Sequence, residues 1–276
     1  MKRRTIAGRA VFPIDLGAMA LDEYKPAASD KDSFDLLRHA VKQGVELIDT
    51  ADVYGLGRNE ELIGKALTAE QKQSVIIATK VGCTRPDGIS WGTDGRPEHI
   101  KKAVHESLKR LGVKQIELYQ LHAPDRSVPL KDSVRALKEL QNQKMVKHIG
   151  LSNVTIGELK EAQQIVSIVS VQNRYNLSYH WNDDQELLPY LTEQKIAYLP
   201  YFPLGSGRLL QHLPLVKLAE KLRITESQLC LAWILNKWSI AIPIPGTKNP
   251  AHLDENMKVA DVELPESIIK ELDGMF

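Results

Sequence analysis

The chain of 276 residues contains only two cysteines, Cys83 and Cys230. They form no CxxC pair and cannot build a disulfide framework. A reduced, cytoplasmic protein is therefore the expectation. An excess of charge of one sign is also missing: 36 Lys and Arg stand against 35 Asp and Glu, a net charge of +1. No global field favours nucleic acid or an acidic membrane as a partner. No apolar run approaches the ~20 residues that span a bilayer. The basic start Met1-Lys2-Arg3-Arg4 lacks the apolar stretch of a secretory signal. The eight histidines form no HExxH pair and no Cys/His zinc spacing, so no metal is expected.

Nucleotide-binding fingerprints are incomplete. Gly55-Leu56-Gly57-Arg58-Asn59-Glu60 begins like a dinucleotide motif but places Glu60 at the third glycine. Gly205-Ser206-Gly207-Arg208-Leu209-Leu210 fails at the same place. Gly64-Lys65-Ala66 lacks the hydroxyl that a triphosphate loop offers to magnesium.

An ordinary globular core is available, with 43% apolar and 26% charged residues. A helix–strand unit recurs along it. Residues 33–42 carry Phe34, Leu37, Ala40 and Val41 at helical spacing, Gly44 ends the helix, and 45–48 reads as a strand. Helices over 98–111, 132–144, 156–164, 184–193 and 225–236 each precede a strand, at 116–121, 147–151, 168–171, 196–199 and 240–242. Strands at 12–18 and 74–79 make eight. Strands alternating with helices pair in parallel, and eight units predict an α/β chain folded as a closed (β/α)8 TIM barrel, one domain over 1–276. An open doubly wound sheet is the competing architecture, but Gly17-Ala18-Met19-Ala20 is no Gly-rich turn. The longest loop candidate, 82–96, follows the third strand and is placed to border a pocket.

Chemistry in such a barrel sits where strands end. The predicted ends carry Asp49 and Tyr54, Lys80, His122, Ser152 and Asn153, Gln172, Tyr201, and Thr247 with Lys248. Taken singly, each has an ordinary structural role as a turn former, a solvated charge or a packed ring. Convergence on one mouth changes that. A phenol titrates near 10, too high for easy proton donation at neutral pH. A nearby ammonium lowers that value. Lys80 is placed to lower the Tyr54 value, Asp49 to hold Lys80, and His122 to donate to a carbonyl oxygen. The group suits general acid catalysis of carbonyl reduction, which also needs a hydride donor.

At these residues the chain resembles the aldo-keto reductase family over nearly its whole length. The matching segments are Ile48-Asp49-Thr50-Ala51-Asp52-Val53-Tyr54-Gly55, Ala78-Thr79-Lys80-Val81-Gly82 and Tyr119-Gln120-Leu121-His122. The resemblance implies a catalytic tetrad of Asp49, Tyr54, Lys80 and His122, with Tyr54 as the acid. It implies NADP(H) as cofactor. Ser152, Asn153 and Gln172 would hold the nicotinamide carboxamide and Tyr201 would stack on the ring. Leu204 and Ser206 would approach the pyrophosphate. Thr247, Lys248, His252, Glu255 and Asn256 would hold the 2′-phosphate and adenine. Relatives often carry Lys where Gly246 stands and Arg or Lys where His252 stands, so the phosphate grip falls more on Lys248 and Thr247. Trp91, and more weakly Tyr24, are candidate pocket walls. The expected partner is a small carbonyl substrate. Two other readings stay open: a Schiff-base lyase acting through Lys80, and a cofactor-binding regulatory subunit.

Overall fold

The computed structural model describes residues 3–23 and 26–276. Tyr24 lies outside the described residues. The chain begins with an antiparallel hairpin, β1 (Arg4–Ile6) and β2 (Arg9–Val11). A parallel sheet of seven strands follows: β3 (Leu16–Gly17), β4 (Leu47–Asp49), β5 (Ile76–Val81), β8 (Ile116–Leu121), β9 (Val146–Ser152), β10 (Ile168–Gln172) and β11 (Ala197–Tyr198). A short hairpin, β6 (Cys83–Thr84) with β7 (Gly92–Thr93), stands in the 82–96 loop. The helices are α1 (Asp30–Gln43), α2 (Arg58–Ala66), α3 (Ala69–Ser74), α4 (Pro97–Leu111), α5 (Leu130–Asn142), α6 (Ile156–Gln163), α7 (Leu188–Gln194), α8 (Leu213–Leu222), α9 (Glu226–Lys237), α10 (Pro250–Met257) and α11 (Glu266–Asp273). Among the described residues no helix is long and apolar enough to cross a membrane.

Local chemistry sets the element ends. Ser29 accepts from Asp32 N at the start of α1, and Gly44 closes that helix at φ 96. Thr155 and Glu158 form a reciprocal capping box on α6, as Thr225 and Gln228 do on α9. Strand β5 is buried along its whole length, as expected of a parallel strand covered on both faces.

The expected eighth strand is only partly realised. Ala241 makes a single parallel bridge to Tyr198. Around it, Ile242 N donates to Tyr198 O at 2.8 Å and Ile244 N to Pro200 O at 3.4 Å. On the other side Pro243 O accepts from Asp15 N at 3.1 Å, and Pro245 O from Gly17 N at 3.2 Å. The segment thus bonds to both edges of the sheet. Its two prolines have no N–H to give toward β3, so no regular ladder forms there. Helix α10 packs back against α1. The first strand is likewise shorter than expected, Leu16–Gly17 rather than 12–18.

Register builds the interior. Lys80 lies opposite Gln120, Gln120 opposite Gly150, and Gly150 opposite Ser170. A Cβ on Gly150 would sit 2.3 Å from Ser170 Oγ and 3.0 Å from Gln120 Cγ. Glycine there leaves room for a polar layer inside the sheet.

Asp15 is wholly buried beside the start of β4. Its Oδ1 accepts from Glu46 N at 3.1 Å and Leu47 N at 2.9 Å, while Oδ2 has no partner among the described residues. Burial pushes its carboxyl up to about 8. An unfolded aspartate titrates near 3.9. Across that window the folded chain keeps a proton that the unfolded chain has released. Stability is therefore present below the window and lost as pH rises through it, by up to about 1.4 kcal/mol per pH unit. Asp15→Asn keeps the acceptor and removes the titration. Relative to that variant, the wild-type urea midpoint should fall between about pH 5 and about pH 8 and run parallel above. Equal slopes throughout would rule out a protonated Asp15.

Candidate active site

A cleft of about 620 Å³ opens at the carboxyl ends of the strands. Of the fifteen residues singled out in the sequence, all but Lys80 and Lys248 line it. Lys80 lies directly beneath, fully buried. Its ammonium donates to Asp49 Oδ1 at 2.6 Å, Thr50 O at 2.7 Å and Tyr54 Oη at 3.4 Å. All three N–H groups are thereby used. Asp49 Oδ2 accepts from Gln172 Nε2 at 2.8 Å and from Gln120 Nε2 at 3.4 Å. Gln120 in turn accepts from Ser170 Oγ at 3.3 Å.

The strand ends position these groups. Asp49 is the last residue of β4, and Tyr54 follows at the start of a tight turn over Tyr54–Gly57 in which Gly55 and Leu56 are left-handed, each at φ 54. His122 follows β8 directly, its N–H bonded to Val81 O at 2.8 Å. The Tyr54 and His122 rings meet edge to face, with centroids 5.7 Å apart. Because the Tyr54 oxygen accepts from Lys80, its own hydrogen is free to be donated elsewhere.

Burial pushes the Tyr54 hydroxyl well above the ordinary tyrosine range, and the Asp49 charge adds to this. This corrects the expectation that Lys80 lowers it. Asp49 stands 2.6 Å from the ammonium and offsets its field, and the phenol is almost entirely buried. Tyr54 therefore rests protonated. Burial, with Lys80 second, holds His122 well below the usual imidazole range, so its ring is neutral. Its Nδ1 is buried with no hydrogen-bond partner among the described residues.

Along the rest of the cleft neutral polar groups stand among apolar ones such as Phe202, Leu204 and Ile244. Asn153 Nδ2 donates to His122 O at 2.9 Å and Ser152 Oγ at 3.1 Å, and its Oδ1 accepts from Tyr201 Oη at 2.7 Å. Three non-glycine residues of the cleft hold left-handed backbone: Asn153 at φ 58, Phe202 at φ 51 and Ser206 at φ 56. Such conformations cost about 1–2 kcal/mol each and concentrate at working loops. At the far end Glu255 accepts from Thr225 Oγ1 at 2.7 Å, and its carbonyl from Gln228 Nε2 at 3.1 Å. Lys248 stands outside the cleft lining, its ammonium donating to Pro26 O at 2.8 Å.

Sequence reasoning missed Gly17, Met19 and Gly246, which also line the cleft. A Cβ on Gly17 would lie 2.6 Å from Ile244 O, so glycine is required by the seam there. The available signal was a first strand ending in small residues, Gly17-Ala18-Met19-Ala20, where every other strand end carries a polar or aromatic group.

A parallel α/β sheet with a polar cleft at its strand ends is the arrangement of barrel enzymes. The model of the aldo/keto reductase family matches residues 13–275, and the chain belongs to that family. It is 36% identical over 280 residues to the pyridoxine 4-dehydrogenase of Escherichia coli, covering 98% of this chain and 97% of that protein. It is 37% identical over 238 residues to an uncharacterized oxidoreductase of Schizosaccharomyces pombe, covering 86% and 76% respectively. Among solved structures it resembles an aldo/keto reductase from Klebsiella pneumoniae in complex with NADP and acetate, at 25% identity and TM-score 0.84 over 99% of this chain and 94% of that one.

Breaking a buried ion pair on one side leaves an uncompensated charge, at a cost of about 3–5 kcal/mol. Lys80→Met and Asp49→Asn should each lower the unfolding free energy, read from urea titration, by that order. The double variant should lose less than the sum, since neither charge then remains unpaired. Strictly additive losses would mean that the pair does not act as a unit.

Proposed function

We propose that this chain is an NADP(H)-dependent reductase of aldehydes or ketones, built as one closed (β/α)8 domain. The observation that carries the reading is the Tyr54 hydroxyl. It lies on the cleft wall, protonated, accepting from a buried ammonium and facing the ring of a neutral histidine across 5.7 Å.

The residues present fit a dinucleotide. The cleft runs from Tyr54 and His122 to Glu255 and Asn256. Ser152, Asn153 and Gln172 offer the mixed donors and acceptors that a carboxamide needs. Gln172 gives its N–H to Asp49, which leaves its oxygen for an N–H of the ligand. Tyr201 would stack on the nicotinamide, and Leu204 and Ser206 would lie along the pyrophosphate. Thr247, Lys248 and His252 would meet the 2′-phosphate, and Glu255 and Asn256 the adenine. NADPH supplies the hydride when bound.

This chain's own residues do the rest. His122 donates a hydrogen bond to the substrate carbonyl oxygen and fixes its position. Tyr54 gives its proton to that oxygen as negative charge develops there. Lys80 stabilises the tyrosinate left behind, and Asp49 keeps Lys80 in place. The lyase reading finds no support, since Lys80 is buried, fully hydrogen-bonded and absent from the cleft lining.

Tyr54→Phe keeps the ring and removes the proton. Its kcat should fall about 10²–10⁴-fold with NADPH affinity unchanged, measured by stopped-flow absorbance and fluorescence titration. Near-normal turnover under rate-limiting chemistry would exclude Tyr54 as the acid.

Cofactor choice gives a separate test. A hydrogen bond to a charged group is worth about 1.5–3 kcal/mol, roughly 10–150-fold in affinity. Lys248→Ala should weaken NADPH by that factor and leave NADH nearly untouched. Parallel losses for both cofactors would place Lys248 outside the phosphate site.

A further inference from the structure

We propose that Glu23 and Arg85 form a clasp that fixes Trp91 as a rigid wall of the substrate pocket and makes the site selective for carbonyl compounds with a flat, apolar body. The inference rests on the carbonyl-reductase reading and concerns residues that the tetrad does not include.

Trp91 lines the cleft on the loop between β6 and β7 and is half exposed, at 50%. Its ring meets His122 edge to face, with centroids 6.1 Å apart. A half-exposed indole on a loop tip would ordinarily sample several rotamers. Two devices oppose that here. The first is the loop itself. Cys83 pairs with Thr93 and Thr84 with Gly92, and Asp87 accepts from Ile89 N at 2.9 Å, Ser90 N at 2.6 Å and Ser90 Oγ at 2.7 Å. The second is Arg85, whose guanidinium carbon stands 3.7 Å from the centroid of the Trp91 ring. A stacked guanidinium attracts the ring face electrostatically, and more so when partly desolvated. The Arg85 side chain is only 11% exposed.

Glu23 holds Arg85 there. Its Oε2 accepts from Arg85 at 2.6 Å, and its Oε1 accepts from Gly55 N at 3.0 Å. Gly55 follows Tyr54 in the chain. Contacts therefore close a ring around the reacting position: Tyr54 and Gly55 to Glu23, Glu23 to Arg85, Arg85 to Trp91, Trp91 to His122, and His122 back to Tyr54. The Arg85 charge is neutralised by Glu23, so it does not serve as an anion receptor. Met19 and Cys83, which pack with Tyr54, are apolar or weakly polar, and the Asp49 carboxylate is paired with Lys80. The surface offered to the body of a substrate is thus flat, aromatic and uncharged.

The test compares an aromatic aldehyde with a short aliphatic aldehyde, benzaldehyde against propanal, with NADPH. Arg85→Met keeps the stem and removes the guanidinium, and Glu23→Gln loosens the same contact more gently. In both variants kcat/KM for benzaldehyde should fall about 5–30-fold, and for propanal less than about 2-fold. NADPH affinity by fluorescence titration should not change. In a Trp91→Ala background, adding Arg85→Met should leave the benzaldehyde-to-propanal ratio where it was. An unchanged ratio in both single variants, or a fall that persists without Trp91, would overturn the clasp. Acrylamide quenching of Trp91 emission, taken as the difference between each protein and its Trp91→Phe counterpart, should rise in Arg85→Met. A wild type that reduces neither aldehyde would count against the functional reading alone. The quenching comparison then decides the clasp, since unchanged quenching would overturn it.

Discussion

One buried ion pair, Lys80 with Asp49, dictates much of what surrounds it. Removing two charges from water costs several kcal/mol per ion unless their remaining hydrogen-bonding capacity is filled. Here it is filled completely. The ammonium reaches a carboxylate, a carbonyl and a phenol, and the carboxylate takes two further amide donors. Those donors need room inside a parallel sheet whose interior would otherwise be aliphatic. Gly150 supplies it by having no side chain between Gln120 and Ser170. The residue choices at one level of β5, β8, β9 and β10 thus follow from a single charge pair.

The same pair shapes the acid–base chemistry above it. A lone ammonium beside a phenol would favour tyrosinate. Paired at 2.6 Å with Asp49, the ammonium presents a nearly cancelled charge, and burial decides the outcome: Tyr54 keeps its proton. Its neighbour His122 is neutral through burial first and the Lys80 charge second. The cleft is therefore walled by two neutral donors backed by an internally balanced ion pair. A Tyr54 held this way does not lose its proton to solvent at neutral pH. It can surrender it to an oxygen that becomes strongly basic, which is the demand of carbonyl reduction.

Much of this was legible in the sequence. Ile76–Val81 and Ile116–Leu121 carry enough apolar residues to read as strands, with Lys80 next to last in one and His122 directly after the other, so both were found by position. Helix α2 is absent from the expected units, because its first turn, Arg58-Asn59-Glu60, reads in the sequence only as the end of an incomplete dinucleotide motif. Asn59 and Glu60 are in fact buried, with Thr79 Oγ1 and Arg110 Nε bonded to the Glu60 carboxylate at 2.5 Å and 2.7 Å. Helix α8 is absent from the expected helix–strand units, although its Pro214 lies in the first turn, where proline suits a helix start. The Tyr54 direction was misread because sequence gives the neighbours of a charge but not the burial that competes with it. The Glu23–Arg85 contact joins residues 62 positions apart and leaves no local pattern.

Left-handed backbone separates the scaffold from the site. Lys195 and Arg223 adopt it to end α7 and α8, with their N–H groups bonded back into the preceding turn. There the strain is an ordinary device of helix termination. Asn153, Phe202 and Ser206 end no helix and all face the cleft. The neighbouring seam is built in the same spirit. Two prolines deny β3 its donors, and Gly17 lets the backbone at Ile244 approach more closely than any side chain would permit. The regular ladder is given up at this seam and, but for a register shift between Ile168 and Ser170, kept from β4 to β10. The strained loops and the irregular seam border one cleft, while the uninterrupted strands carry the ion pair beneath it. The fold thus keeps its paired strands under Tyr54 and its left-handed loops along the cleft.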